Sequence, residues 1–264
     1  MKKIILFILC GIELLSLLCI YLIGGMAGVY AWNINIFIVA PIALIAGIVQ
    51  IVIIIIRLFQ KKKVKINIIF AIVSIVLAYP VTILLGMSNI TYPTKADASD
   101  EIVVSMPVKN PILMGGKEYK VHAVWPSECY AFDILSEPYD TGSDDLESYG
   151  IYDADVIAPI SGEIIGLENS EEDILPNKEK FKSLLGNYVF IKIDNTGTYL
   201  IMAHLKKDSI AVSIGDHVSE GEYIGKVGNS GTTSEPHLHI QHQRNNPNTM
   251  LYPTLSEGLP IVFK

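Results

Sequence analysis

Hydrophobic positions divide this 264-residue chain into two regimes. Up to residue 88 they run nearly unbroken; beyond it they come in short runs separated by glycines and polar turns. A membrane-spanning helix needs roughly 20 largely apolar residues. Three stretches of the first regime reach that length, at 4–24, 36–56 and 68–87. The pattern predicts three transmembrane helices, with Pro41 and Pro80 kinking the second and third. The opening "MKK" would suit a cleaved leader, but the apolar run after it is too long and two more spans follow.

The second regime carries the period of strands. "VIAPISGEIIGL" places two apolar runs around Ser161 and Gly162 in a hairpin pattern. "YVFIKIDNTGTYLIMAHL" repeats the design, with a turn at Asn195, Thr196 and Gly197. "VSIGDHVSEGEYIGKVG" sets closely spaced glycines between β-branched residues. "EEDILPNKEKFKSLLG" departs from the pattern as a helix or loop, ended by Gly186. The expected fold is therefore three N-terminal transmembrane helices followed by a mainly antiparallel β domain. "SNITYPTKADASDE" has no periodicity. It places the boundaries at 1–88 for a three-helix anchor, 89–104 for a linker and 105–264 for the β domain.

Charge changes at the same boundary. Seven basic residues and one acid, Glu13, precede Ser88, whereas 13 basic and 26 acidic residues follow. So acidic a domain argues against nucleic acid or anionic lipid as its ligand. Lys2 and Lys3 precede the first expected span, and "RLFQKKKVK" joins the second to the third. The positive-inside rule then puts the N-terminus in the cytoplasm and the β domain outside the cell. The uncharged link "MAGVYAWNIN" carries Tyr30 and Trp32, as an interfacial belt would. Glu13 lies within a span and is a functional suspect on that ground. A protonated or hydrogen-bonded carboxyl is the simpler account, and anchoring the simpler role for the helices.

Candidate chemistry gathers in the outer domain, which holds all six histidines. In "EPHLHIQ", residues two apart on a strand share a face, so His237 and His239 project together while Leu238 and Ile240 point into the core. The polar, Gly-containing "NSGTTSEP" leads into that pair, and "MAHLKK" ends a strand at His204 among apolar neighbours. In "PSECYAFDIL", Cys129 and Asp133 are four apart and share a face in either a strand or a helix. His217 and His242 read as solvated or structural. Cys129 is the only cysteine beyond the first span, so no disulfide is expected within the outer domain.

In order, "YAFDI", "APISGEIIG", "GNYVFIKIDNTGTYLIMAHL" and "IGDHVSEGEYIGKVGNSGTTSEPHLHI" resemble the lysostaphin-like (LytM-type) zinc peptidoglycan endopeptidases, over roughly residues 115–255. The resemblance implies a Zn2+ ion bound by a His-x-x-x-Asp motif and the second histidine of His-x-His. Asp133 and His239 match as metal ligands, and His204 and His237 match the catalytic histidines beside the metal and substrate. The leading histidine position is held by Cys129, which becomes the third expected ligand; thiolate binds zinc well, at about 2.3 Å. Such a shell would make a weaker Lewis acid than an imidazole one. His122, in "YKVHAVW", is an alternative donor if the intervening loop folds back, and an ordinary strand histidine otherwise.

The function implied is a multi-pass, membrane-anchored extracellular zinc metallopeptidase acting on cell-wall peptides. The alternative is a catalytically inactive, metal-free wall-binding or regulatory module on the same fold. A third reading makes the spans the working part and the outer domain their sensor.

Overall fold

The computed structural model describes residues 2–88, 90–93, 100–115, 120–176, 178 and 182–264. Residues 89 and 94–99 of the expected linker lie outside the described residues. The chain divides into two compact units, Met1–Lys95 and Ala96–Lys264.

In the first unit, α1 (Lys2–Leu18) ends in a π-helical turn, Cys19–Ile23. Gly24 and Gly25 follow with φ of 71° and 55°. That conformation suits glycine and stops the helix. The next helix runs unbroken over 35 residues, Gly25–Phe59. It comprises α2 (Gly25–Ile34), a π-helical stretch (Asn35–Val39) and α3 (Ala40–Phe59). At 1.5 Å per residue it is about 52 Å long, against about 30 Å of bilayer hydrocarbon. α4 (Lys65–Leu77) has 13 residues, and a turn separates it from α5 (Val81–Leu84).

Among the described residues, one helix is long and apolar enough to cross a membrane, not the three expected. The positions of the helix breakers explain the difference. "MAGVYAWNIN" holds neither proline nor charge, so the expected loop continues the helix N-terminally. Pro41 follows the π-helical stretch Asn35–Val39 and does not end the helix. Pro80 has the opposite effect, lying in the turn that cuts the third expected span after Leu77. α1 falls just short, its described apolar helix running Phe7–Ile23. Polar contacts join the helices: Asn35 Nδ2 donates to Ser16 Oγ at 2.9 Å and Asn67 Nδ2 to Gln50 Oε1 at 2.8 Å. Most of this unit's large apolar side chains remain exposed.

The second unit is built on an antiparallel sheet. In chain order its strands are β1 (Ile102–Val104), β2 (Ile112–Gly115), β3 (Phe132–Leu135), β4 (Asp155–Ile157), β5 (Gly162–Glu168) and β6 (Asn187–Ile193). They continue with β7 (Tyr199–Leu205), β8 (His217–Val218), β9 (Tyr223–Lys226), β10 (Leu238–Gln243), β11 (Gly258–Leu259) and β12 (Ile261–Phe263). The main sheet has the order β2-β3-β10-β7-β6-β5-β8, with β11 also paired to β10. β4 pairs with β9 antiparallel, and β1 with β12 parallel.

The turn at Asn195–Gly197 joins β6 to β7, which pair as a hairpin. Ser161 and Gly162 make no hairpin, because β4 before them pairs with β9 and β5 after them pairs with β6 and β8. Alternation identifies a strand but not its partner. The described residues of "EEDILPNKEKFKSLLG" form an irregular loop rather than a helix.

Strand alternation sorts the sheet's side chains onto two faces. Ile134, Val189, Ile191, Leu200, Met202, Leu238 and Ile240 pack into the main core. Asp133, His239 and Gln241 alternate with them and face the other way, as do Phe190, Ile201 and Ala203 of a smaller cluster.

Candidate metal centre

β10 lies between β3 and β7, and register sets the neighbours of His239. It pairs with Asp133 on one side and Ala203 on the other. Directly opposed residues have Cβ atoms about 4.5–5.5 Å apart, so side chains far apart in sequence meet here. His239 Nδ1 is 2.9 Å from Asp133 Oδ1. His122 Nε2 is 3.2 Å from Asp133 Oδ2. His122 arrives on α6 (Lys120–Ala123), a single helical turn. Successive turns then carry the chain into β3, through bonds from Trp125 N to His122 O, Glu128 N to Trp125 O and Ala131 N to Glu128 O. The loop does fold back. Donor atoms of His122, Asp133 and His239 lie within 4.8 Å of one another.

Cys129 is not among the potential ligands that converge there. It is buried in the turn before β3, with Sγ 3.2 Å from Pro126 O. Four-residue spacing aligns side chains only inside one regular element. Here a turn ends and a strand begins between Cys129 and Asp133, so the alignment expected from sequence does not form. The donor group that does converge contains His122 in addition to Asp133 and His239.

His204 and His237 border the cluster, with ring centroids 4.7 Å apart. His204 is the last residue but one of β7, with φ of 62°. That value is uncommon for a residue with a Cβ and is found at functional sites. His204 N donates to Leu185 O at 3.0 Å, and its Nδ1 lies 2.8 Å from Ser230 O. A backbone carbonyl can only accept, so Nδ1 carries the proton and a neutral ring keeps its lone pair on Nε2. His237 is fixed likewise, Nδ1 donating to Glu235 O at 2.8 Å and Nε2 lying 3.5 Å from Asp133 Oδ1.

The glycines of "GNSG" and Gly186 make the support for His204 possible. Gly186 and Gly231 have φ of 63° and 78°. A Cβ on Gly186 would lie 2.3 Å from the carbonyl carbon of Ser230, and one on Gly231 2.3 Å from Gly186 N. Only with both glycines can the two segments touch and present Ser230 O to His204.

Burial would raise the pKa of Asp133, but the His237 charge and hydrogen bonds from His122 and His239 hold the carboxyl well below the usual range. Burial would lower that of His239, yet its bond to the Asp133 charge raises it to about 9. His204 is held well below its ordinary value by burial, reinforced by His237 and His239, and is neutral at pH 7. A cavity of about 580 Å³ opens over the cluster, walled by Trp125, Glu128, Leu184, Leu185 and Thr232.

Two imidazoles and one carboxylate on a concave, partly open surface suit zinc, whose catalytic sites pair three protein donors with an open position. Residues 149–250 match Peptidase family M23. The match contains His204, His237 and His239, while His122 and Asp133 precede it. Over 103 residues the chain is 31% identical to Peptidoglycan DD-endopeptidase ShyC of Vibrio cholerae, covering 38% of this chain and 22% of ShyC. The chain thus spans about a fifth of the curated relative it matches. Among solved structures, lysostaphin of Staphylococcus simulans is 21% identical, covering 56% of this chain and 47% of that one, with a TM-score of 0.36. A zinc containing peptidase from Vibrio cholerae is 19% identical, covering 56% and 35%, with a TM-score of 0.30.

His217 pairs with Asp194 at the surface, and His242 contacts Thr198 Oγ1 and Pro260 O. Neither joins the cluster. Sequence reasoning passed over Ser230, Gln241 and Gln243, although alternation along β10 puts both glutamines on the face of His239.

Proposed function

We propose that this protein is a membrane-anchored zinc peptidase hydrolysing peptide bonds of cell-wall peptidoglycan. In this reading His122, Asp133 and His239 hold the metal, and His204 and His237 are catalytic. The observation that carries it is the convergence of the three donors beneath a cavity edged by two further histidines. The substrate class follows from the family match and from the peptidoglycan endopeptidase ShyC. The inactive, metal-free reading rested on the missing first histidine, and His122 supplies that donor.

Zinc bound at this centre would supply Lewis acidity toward the scissile carbonyl and a nucleophile at neutral pH. The chain's own groups complete the chemistry. His204 and His237 both spend Nδ1–H on a backbone carbonyl, leaving Nε2 as the nitrogen that takes a proton. Burial keeps His204 neutral, so it accepts a proton as the bond is attacked and returns it to the leaving amine. His237, nearer to Asp133, bonds the developing oxyanion once protonated. Trp125, Leu184 and Leu185 restrict water and give the peptide an apolar wall.

The helix Gly25–Phe59 suits an anchor, since its large apolar side chains are mostly exposed. Arg57, Lys61, Lys62, Lys63 and Lys65 mark the cytoplasmic end of that helix. The reading is tested by incubating the purified full chain with peptidoglycan and counting new amino termini. Release that stops on chelation and resumes with zinc supports it; absence of release by zinc-loaded protein overturns it.

A further inference from the structure

The metal-centre reading leaves unexplained a row of buried amides behind His239. His239, Gln241 and Gln243 alternate along β10 onto one face, and both glutamines are 0% exposed. His239 Nε2 lies 3.0 Å from Gln241 Oε1, and Gln241 Nε2 lies 3.0 Å from Gln243 Oε1. Gln243 Nε2 ends the row against two backbone carbonyls, Asn245 O at 2.8 Å and Pro253 O at 2.9 Å. Amides this deep in a sheet are costly unless each end is matched.

The far end fixes the direction of every bond. Backbone carbonyls only accept, so the end of Gln243 that meets them is its NH2 group. Its oxygen therefore faces Gln241 and must receive that residue's NH2. The oxygen of Gln241 is then turned toward His239, where it can only accept. His239 must carry a proton on Nε2, which leaves Nδ1, the atom beside Asp133, as the donor toward the cluster. No rotation of one amide alone satisfies the row, because either flip sets oxygen against oxygen or NH2 against N–H.

We propose that Gln241 and Gln243 are positioning residues that lock the ring orientation and tautomer of His239, so that Nδ1 is presented to the metal. The inference rests on the metal-centre reading above. Histidine ligands generally donate their second N–H to an outer partner. Here the partner is an amide whose own orientation is imposed from a backbone anchor two strand positions away.

The test uses the full chain in detergent, with Gln241→Met, Gln241→Glu and Gln243→Met. Zinc affinity is measured by chelator competition, and the His239 Nε2 proton is followed by NMR on histidine-labelled protein. Gln241→Met should weaken zinc binding roughly 10–100-fold, the usual effect of losing an outer-shell partner, and should speed exchange of the Nε2 proton. Gln241→Glu keeps an acceptor toward His239 Nε2 but sets an oxygen against Gln243 Oε1, so it should recover both in part. Gln243→Met frees Gln241 to flip and should fall between them, which also covers failure of Gln241→Met to fold. Parent-like zinc affinity and proton exchange in both methionine variants overturns the inference. So does a Gln241→Glu protein no better than Gln241→Met. If the parent chain binds no zinc, the proposed function fails, while proton exchange still decides the role of the glutamines.

Discussion

Replacing His122 with alanine separates the donor group the structure brings together from the ligand set the motif suggests. The His122 and Asp133 side chains are 7% and 12% exposed, with 3.2 Å between Nε2 and Oδ2. The substitution removes one of the three proposed metal donors and leaves Asp133 with His239 and His237. Losing a hydrogen bond to a charged group costs about 1.5–3 kcal/mol, so the metal-free fold weakens but survives. Loss of an outer partner already costs roughly 10–100-fold in metal affinity. Loss of a donor should exceed that, so zinc binding falls more than about 100-fold, or about 2.7 kcal/mol. Cys129→Ser keeps a donor toward Pro126 O and should leave zinc content unchanged. Zinc per chain, with chelator competition on both variants, reads the answer. Zinc retained by His122→Ala and lost by Cys129→Ser would refute this assignment and return the thiolate to the centre.

Further outcomes follow from the same geometry. His204→Ala and His237→Ala should each lower peptide cleavage about 10²–10⁴-fold while zinc content stays at the parental level. In the metal-free chain the two limbs of the pH–stability curve have different origins. His239 is raised from 6.5 to about 9, so its contribution is complete below pH 6.5 and lost as pH rises through 9, a change of about 3 kcal/mol. His204 is shifted downward, so its contribution is complete above pH 6.5 and lost on acidification. Urea denaturation across pH should therefore give greatest stability near pH 6.5. Zinc at pH 7 should displace about one proton from His239, seen by calorimetry in buffers of differing ionisation enthalpy. A cysteine placed at Lys62 should react with membrane-impermeant thiol reagents only after cells are opened.

Legibility from sequence followed the range of the physics involved. Alternation is local, so it marked the strands, turned His237 and His239 toward one side and sent Leu238 and Ile240 to the core. Pairing is not local, and Ser161 and Gly162 fit a hairpin equally well whether or not β4 and β5 are partners. The proposed metal ligands split on the same line. Asp133 and His239 sit on strands, where register brings them together. Cys129 and His122 sit in irregular chain, where spacing carries no direction and the turns from Trp125 to Ala131 decide which side chain arrives. In the first unit, apolar content identified helices, but the glycine pair at 24 and 25 and Pro80 set their lengths. The orientation of Gln241 became legible only when the carbonyls beyond Gln243 were in place.

The most direct test of the central claim is the zinc content and activity of the purified full chain, assayed together with Asp133→Asn and His239→Ala. The account predicts close to one zinc per parent chain and zinc-dependent release of amino termini from peptidoglycan, with both lost in each variant. Parent protein that emerges metal-free from zinc-replete cells, or zinc-loaded protein that cuts no peptide bond in the wall, would contradict it.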